Sequence, residues 1–235
     1  MALAFTALAA ANGNTTNLTE GSYSGNTGTP VSNDILVCYV MCSGNNTVGT
    51  LSGGGWEWNL LRTFTVTAGA DIASIWYAHA TGATSTTPTY LITGPATGCI
   101  ISCVRVTGQE GTNVPYIRQI ATNNASSTNP TATFGVAPLT GNGILTFAGN
   151  KTNSTTQWTA PTSFTEISEV AYAIPANSLQ TASRATGQTA VILTWTNSNN
   201  SDWLTAAIEF YTAGTGPSSP FGFSNNGFFG GISTL

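Results

Sequence analysis

The chain has 235 residues, of which only 6% are charged, and nine acidic against five basic side chains leave a net charge of -4. Ordinary domains carry about 25% charged residues, so the polar surface here is Thr, Ser, Asn, Gln and Gly, which excludes surface ion-pair networks as the source of stability. Arg62, Arg105, Arg118, Lys151 and Arg184 stand singly, which excludes a phosphate-binding stripe and direct nucleic-acid binding, and no apolar run reaches the ~18 residues of a membrane-spanning helix.

In chain order, Met1-Ala-Leu-Ala-Phe-Thr-Ala-Leu lacks the positively charged start of an export signal and predicts a short first strand. A Gly/Asn/Thr/Ser run follows as far as Pro30. Residues 35–42 are rich in β-branched side chains and bounded by Asn33-Asp34 and Ser43-Gly44, which predicts a buried strand. Gly53-Gly-Gly55 breaks the chain ahead of Trp56 and Trp58. Further strands are predicted at Phe64 and Val66, over 72–78, at 90–93 and over 99–106. Residues 107–130 carry Gly108, Gly111, Pro115 and Asn129-Pro130 and are expected to form a connector. Strands are then expected over 132–136, 144–148, 164–173, 179–184, 190–196 and 204–211. No segment joins a helical period to a cap and adequate length.

The chain reads as one module written twice. Asp34-Ile-Leu-Val opens one copy and Gly143-Ile-Leu-Thr the other. Gly55-Trp-Glu-Trp answers Thr162-Ser-Phe-Thr, the strand from Ile72 answers that from Leu179, and the strand from Gly98 answers that from Trp203. The expected fold is all-β: a jelly-roll-like two-sheet sandwich built from two similar halves. A single domain is expected over 1–213, with halves at about 1–110 and 131–213. Residues 214–235 differ in composition. Gly, Ser, Asn, Pro217 and Pro220 disfavour a ladder, yet Phe221, Phe223, Phe228, Phe229, Ile232 and Leu235 offer apolar anchors. They are expected to be a flexible arm, docked either on its own sandwich or on a neighbouring subunit.

Reactive groups are sparse. His79 is the one histidine, no Gly-x-Ser-x-Gly elbow occurs, and the separated cysteines do not make a zinc site. No catalytic residue, metal or cofactor is expected. Glu166 and Glu169 are the closest carboxylates, and simple alternation places them on opposite faces of a strand. Trp56, Trp58, Tyr77 and Trp203 are candidates for a carbohydrate-binding platform, with core packing as the plainer reading. Cys38 and Cys42 share one strand and Cys99 and Cys103 another. A link within either strand is excluded by its length, at ~3.3 Å per residue. A cross-strand disulfide requires the strands to be neighbours, and free thiols acting as apolar fillers are the preferred reading.

Several of these features resemble phage and prophage virion structural modules. The residues concerned are Asn33-Asp-Ile-Leu-Val, the Gly-rich turn into Gly55-Trp56, Ile75-Trp-Tyr-Ala, Arg105-Val-Thr-Gly108 and the Trp158-Thr-Ala-Pro161 turn. The resemblance spans about residues 15–213; Trp58 and the phenylalanine-rich end depart from it. It implies a jelly-roll-like capsid decoration or tail-associated protein without enzymatic activity. The implied partners are capsid protein and other copies of itself, within a virion assembled in the host cytoplasm. A glycan-binding adhesin or tail-fibre module is the alternative.

Overall fold

The computed structural model describes residues 2–14, 21–44, 47–65, 71–108, 117–150, 158–173, 176–197 and 201–212. Among them every regular element is a strand. The first half contributes β1 (Ala4–Ala7), β2 (Asn12–Asn14), β3 (Gly21–Ser24), β4 (Ile35–Ser43), β5 (Thr50–Ser52), β6 (Asn59–Thr65), β7 (Ile72–His79), β8 (Thr89–Ile92) and β9 (Gly98–Thr107). Its large antiparallel sheet has the order β1-β9-β4-β7-β6, with β2 also on β9, and its small sheet the order β3-β8-β5.

The second half repeats this plan. Its strands are β10 (Ile117–Ser127), β11 (Thr131–Thr133), β12 (Gly143–Asn150), β13 (Trp158–Thr159), β14 (Thr165–Ala173), β15 (Ala176–Arg184), β16 (Ile192–Thr194), β17 (Thr196–Asn197) and β18 (Ser201–Phe210). The large sheet runs β10-β18-β12-β15-β14, strand for strand the order of the first. The small layer is split: β16 pairs with β11, and β17, two residues further on, pairs with β13. The segment expected to be a connector therefore holds β10, the edge strand equivalent to β1. Its sequence hid it because Ile117-Arg-Gln-Ile-Ala-Thr-Asn-Asn-Ala-Ser-Ser is mostly half-buried and needs few apolar side chains.

The two large sheets pack face to face. One core cluster joins Ile35, Val37, Tyr39, Met41, Ile75 and Val104 of the first half to Leu145, Phe147, Leu179, Leu204, Ile208 and Phe210 of the second. Tyr39 stacks on Phe147 at 4.9 Å between ring centroids, and Phe5 meets Phe210 edge-on at 5.8 Å. A Cβ on Gly143 would lie 2.8 Å from both Leu3 and Phe5, so glycine there admits the side chains of Leu3 and of Phe5 on β1 across the interface. The hydroxyl of Ser102 on β9 lies 3.0 Å from those of Ser168 on β14 and Thr181 on β15. Edge strand β1 lies against β14, and β6 against β10. Exchanging the halves exchanges these two contacts, so the halves meet in the isologous manner of a two-fold dimer.

Each large sheet is also covered on its far side. Leu36, Cys38, Val40, Cys42, Trp76 and Ile101 pack with Tyr23, Leu51, Tyr90 and Ile92 of the small sheet. In the second half Ile144 and Ala207 pack with Phe134 and Leu193, and Ala148 and Ala182 with Trp158 and Trp195. The two-sheet sandwich built from similar halves is thus present at the centre, with an outer layer on each side. Burial on both faces explains why all nine residues of β4 are buried, and why its sequence shows no polar–apolar alternation.

Strand register fixes which residues correspond. A β-bulge interrupts β6 between Leu60, opposite Trp76, and Arg62, opposite Ile75. The same slip occurs in β14 between Glu166, opposite Ala182, and Ser168, opposite Thr181. Trp76 therefore corresponds to Ala182. Following the ladders inward, Cys38 corresponds to Thr146 and Cys103 to Ala207. The paired Ile-Leu dipeptides that made the repeat visible in the sequence are one residue out of phase: Ile35 faces the central core, whereas Ile144 faces the outer layer. Because side chains alternate, a one-residue offset exchanges the faces.

Candidate functional site

Two of the three buried carboxylates among the described residues lie at the ends of the last strand of each half, β9 and β18. Arg105 of β9 donates through Nε to Asp34 at 2.6 Å, and the same carboxylate accepts from the Val31 backbone N–H at 2.6 Å. At the equivalent place in β18 stands Glu209, with Asn142 in the position of Asp34 and Leu139 in that of Val31. Asn142 donates to Glu209 at 2.6 Å and the Leu139 N–H at 2.9 Å. Arg118 donates at 2.7 Å and Gln119 at 2.5 Å. One contact is therefore built twice with donor and acceptor exchanged. The register slip in β10 between Ile117 and Gln119 leaves Arg118 as the extra residue. Bulges re-aim side chains in this way, and here Arg118 and Gln119 both reach Glu209.

Glu209 and Asp34 are 0% and 3% exposed. An ion buried this deeply must be paired and hydrogen-bonded, and each is. The third buried carboxylate among the described residues, Asp71, accepts from the Gly44 N–H at 3.2 Å. Asp34 and Glu209 thus fasten loop backbone to a strand, and Asp71 holds the backbone just after β4.

The sequence-derived candidates fall in separate places. Trp56 and Trp58 are half-buried at the margin of the first outer layer. Trp58 donates to the Gly53 carbonyl at 3.1 Å. The Trp56 ring lies over Gly54, where a Cβ would come within 2.5 Å of it and φ is +73°. The glycine run thus lets the indole lie against backbone. Tyr77 follows Trp76 on β7 and so points from the opposite face of the sheet. Trp203 is 2% exposed under the second outer layer, with its indole N–H on Ser127 at 3.0 Å. The four aromatics do not form one platform. Phe221, Phe223, Phe228, Phe229, Ile232 and Leu235 lie outside the described residues.

Glu166 and Glu169 correct the expectation from simple alternation. The bulge inserts Ile167, so Glu166 opposes Ala182 and Glu169 opposes Gln180, both on the outer face of β15. Gln180 donates to Glu169 at 3.3 Å. The paired carboxylates do share a face, and Glu166 lines an open depression with Phe5, Thr6 and Arg184. The same bulge in β6 has Leu60 and Thr63 at the equivalent places. The bulge itself therefore belongs to the repeated architecture.

The cysteines also depart from the preferred reading. Strands β4 and β9 are neighbours, and Cys38 and Cys103, directly opposite each other, form a disulfide with a Cα separation of 4.2 Å. Cys42 and Cys99 are buried free thiols. Burial, and then the neighbouring Cys42, hold the Cys99 thiol well above its usual pKa. Equal spacing within each strand carried the signal, but only strand adjacency and register turn that spacing into pairs.

These features define a tandem, internally two-fold β-sandwich. No family model, curated protein or solved structure matches this chain.

Proposed function

We propose that the protein is a non-enzymatic virion structural protein, a capsid decoration or cement protein that binds capsid protein and copies of itself. The observation that carries this reading is the duplication of specialised polar features. The loop-to-strand lock and the bulge each occur twice, at equivalent positions with different residues. Features repeated in this way serve the scaffold, and they account for two of the three buried carboxylates among the described residues, Asp34 and Glu209.

The finer reading of the sandwich built from the two halves as jelly-roll-like rests on the connections within each half. β3, β5 and β8 lie in the small sheet, while β4, β7 and β9 lie in the large one, so the chain crosses repeatedly between layers; β11, β13 and β16 do likewise against β12, β15 and β18. Jelly rolls occur in viral capsid proteins and in lectins, which keeps the glycan-binding module as the rival reading. Low charge favours lattice contacts, since uncharged polar surface is desolvated at lower cost than charged surface. A bound decoration protein stabilises the particle by the free energy of the bound state. The Cys38–Cys103 bond suits a particle that leaves the reducing cytoplasm in which it is assembled.

The test is imaging of native particles carrying the labelled protein, together with release assays at ~1 M salt, where the Debye length is about 3 Å. Regular density on the capsid that persists in salt is the expected result. Absence from the capsid, with glycan binding lost in Trp56→Ala or Trp58→Ala, overturns it in favour of the rival. Truncation after Ala213 is expected to lower particle occupancy in competition with the full chain.

A further inference from the structure

The four cysteines of the chain all lie on β4 and β9, and the register pairs them completely: Cys38 with Cys103 and Cys42 with Cys99. Residues four apart on a strand share the same sheet face and the same type of cross-strand pair, because both properties alternate with each residue. The 4.2 Å Cα separation of Cys38 and Cys103 is that of a closely spaced, non-hydrogen-bonded pair. Cys42 and Cys99 therefore stand at a second position of the same kind. Their Sγ atoms lie 3.0 Å apart, and both side chains are buried. An apolar filler needs no sulfur directly opposite another. The second half has Asn150 and Trp203 at these places, so the fold does not itself demand cysteine there.

We propose that Cys42 and Cys99 are a second disulfide-forming site, making a two-rung ladder between β4 and β9, and that the rung closes by exchange with a small-molecule disulfide before the outer sheet covers it. One thiolate attacks a sulfur of the oxidant, forming a mixed disulfide and releasing one thiol. The second thiolate then attacks the protein sulfur of that mixed disulfide and displaces the second thiol. The two protein thiols are oxidised, the oxidant is reduced to two thiols, and the two protons lost from the cysteines end on those products.

The order of events follows from what lies above the pair. Tyr23 of β3 and Tyr90 of β8 belong to the same buried cluster as Cys42 and Cys99. Tyr23 donates to the Ala96 carbonyl at 3.2 Å, and Tyr90 accepts from the Gly49 N–H at 2.6 Å. Once β3-β8-β5 is in place, no oxidant reaches the sulfurs. The raised pKa of Cys99 also suppresses the thiolate that exchange requires.

The experiment refolds the full chain from the reduced, denatured state in a glutathione redox buffer. Iodoacetamide is then added under denaturing, non-reducing conditions, and the peptides are mapped. The expected result is a Cys42–Cys99 cross-linked peptide beside the Cys38–Cys103 one, and an intact mass about 4 Da below that of the reduced chain. Alkylation of both Cys42 and Cys99 in chains that carry the Cys38–Cys103 link overturns the proposal, as does glutathione retained on either residue. In Cys38→Ala/Cys103→Ala the inner link is expected to persist; if that variant does not fold, the map of the unmodified chain decides. Folded, reduced protein is expected to form the inner link at least about tenfold more slowly than protein oxidised during refolding. Equal rates overturn the proposed order.

Discussion

Replacing Phe147 by Ala tests whether the two halves form one cooperative unit. Phe147 belongs to the second half, is 0% exposed, and stacks on Tyr39 of the first half at 4.9 Å. Truncating a fully buried Phe costs about 3–5 kcal/mol, through lost transfer energy and the cavity left behind. For a domain of this size each kcal/mol lowers Tm by about 2–4 °C, so a loss of roughly 10 °C is expected. The location of the loss matters more than its size. Because the central core draws on β4, β7 and β9 as well as β12, β15 and β18, the whole chain is expected to melt in one shifted transition. Differential scanning calorimetry and amide hydrogen exchange read this directly, with β4 and β9 losing protection together with β12 and β18. A double-mutant cycle with Tyr39→Ala is expected to give a coupling of about 0.5–1.5 kcal/mol for the stacked pair. Two separate transitions, unchanged protection in β4 and β9, or zero coupling would refute the shared core.

With Cys42 and Cys99 held as thiols, removing the Cys38–Cys103 bond by Cys38→Ala/Cys103→Ala opens a loop of 65 residues' separation; the chain-entropy relation gives a loss of about 4 kcal/mol, measured by denaturant titration of the variant against protein carrying that bond alone. Glu209→Ala leaves Arg118, Asn142 and the Leu139 N–H facing a vacated carboxylate position; breaking such a site is expected to cost about 3–5 kcal/mol, with raised hydrogen exchange first at 136–142. Burial pushes Tyr23 and Tyr90 each up to about 12 from the ordinary 10. A group whose folded pKa is raised contributes stability that is complete below its unfolded pKa. This contribution is therefore expected to be intact below pH 10 and to disappear as pH rises from about 10 to about 12, read as tyrosinate absorbance rising together with loss of structure.

The composition and pattern of this chain determine its class without any tertiary information. Short β-branched runs set off by Gly, Asn and Pro exclude helices and locate most of the large-sheet strands, and the doubled order of elements is visible as a repeat. Uninterrupted apolar character in residues 35–42 already requires cover on both faces of that strand. The rest depends on register, which local sequence does not carry. The Ile-Leu match between the copies is one residue out of phase, and only pairing with β9 and β18 shows which side chains are equivalent. The bulge at Ile167 puts Glu166 and Glu169 on one face against plain alternation. β10 escaped notice because an edge strand needs few apolar residues, and the Glu209 lock because its partners come from β10, β18 and the loop before β12. Cysteine spacing limited the links to cross-strand ones, and adjacency of β4 and β9 selected the pairs. Local composition sets what each segment can be; contacts between segments distant in sequence decide the face, the partner and the charge state of each side chain, because burial and pairing exist only once the sheets are assembled.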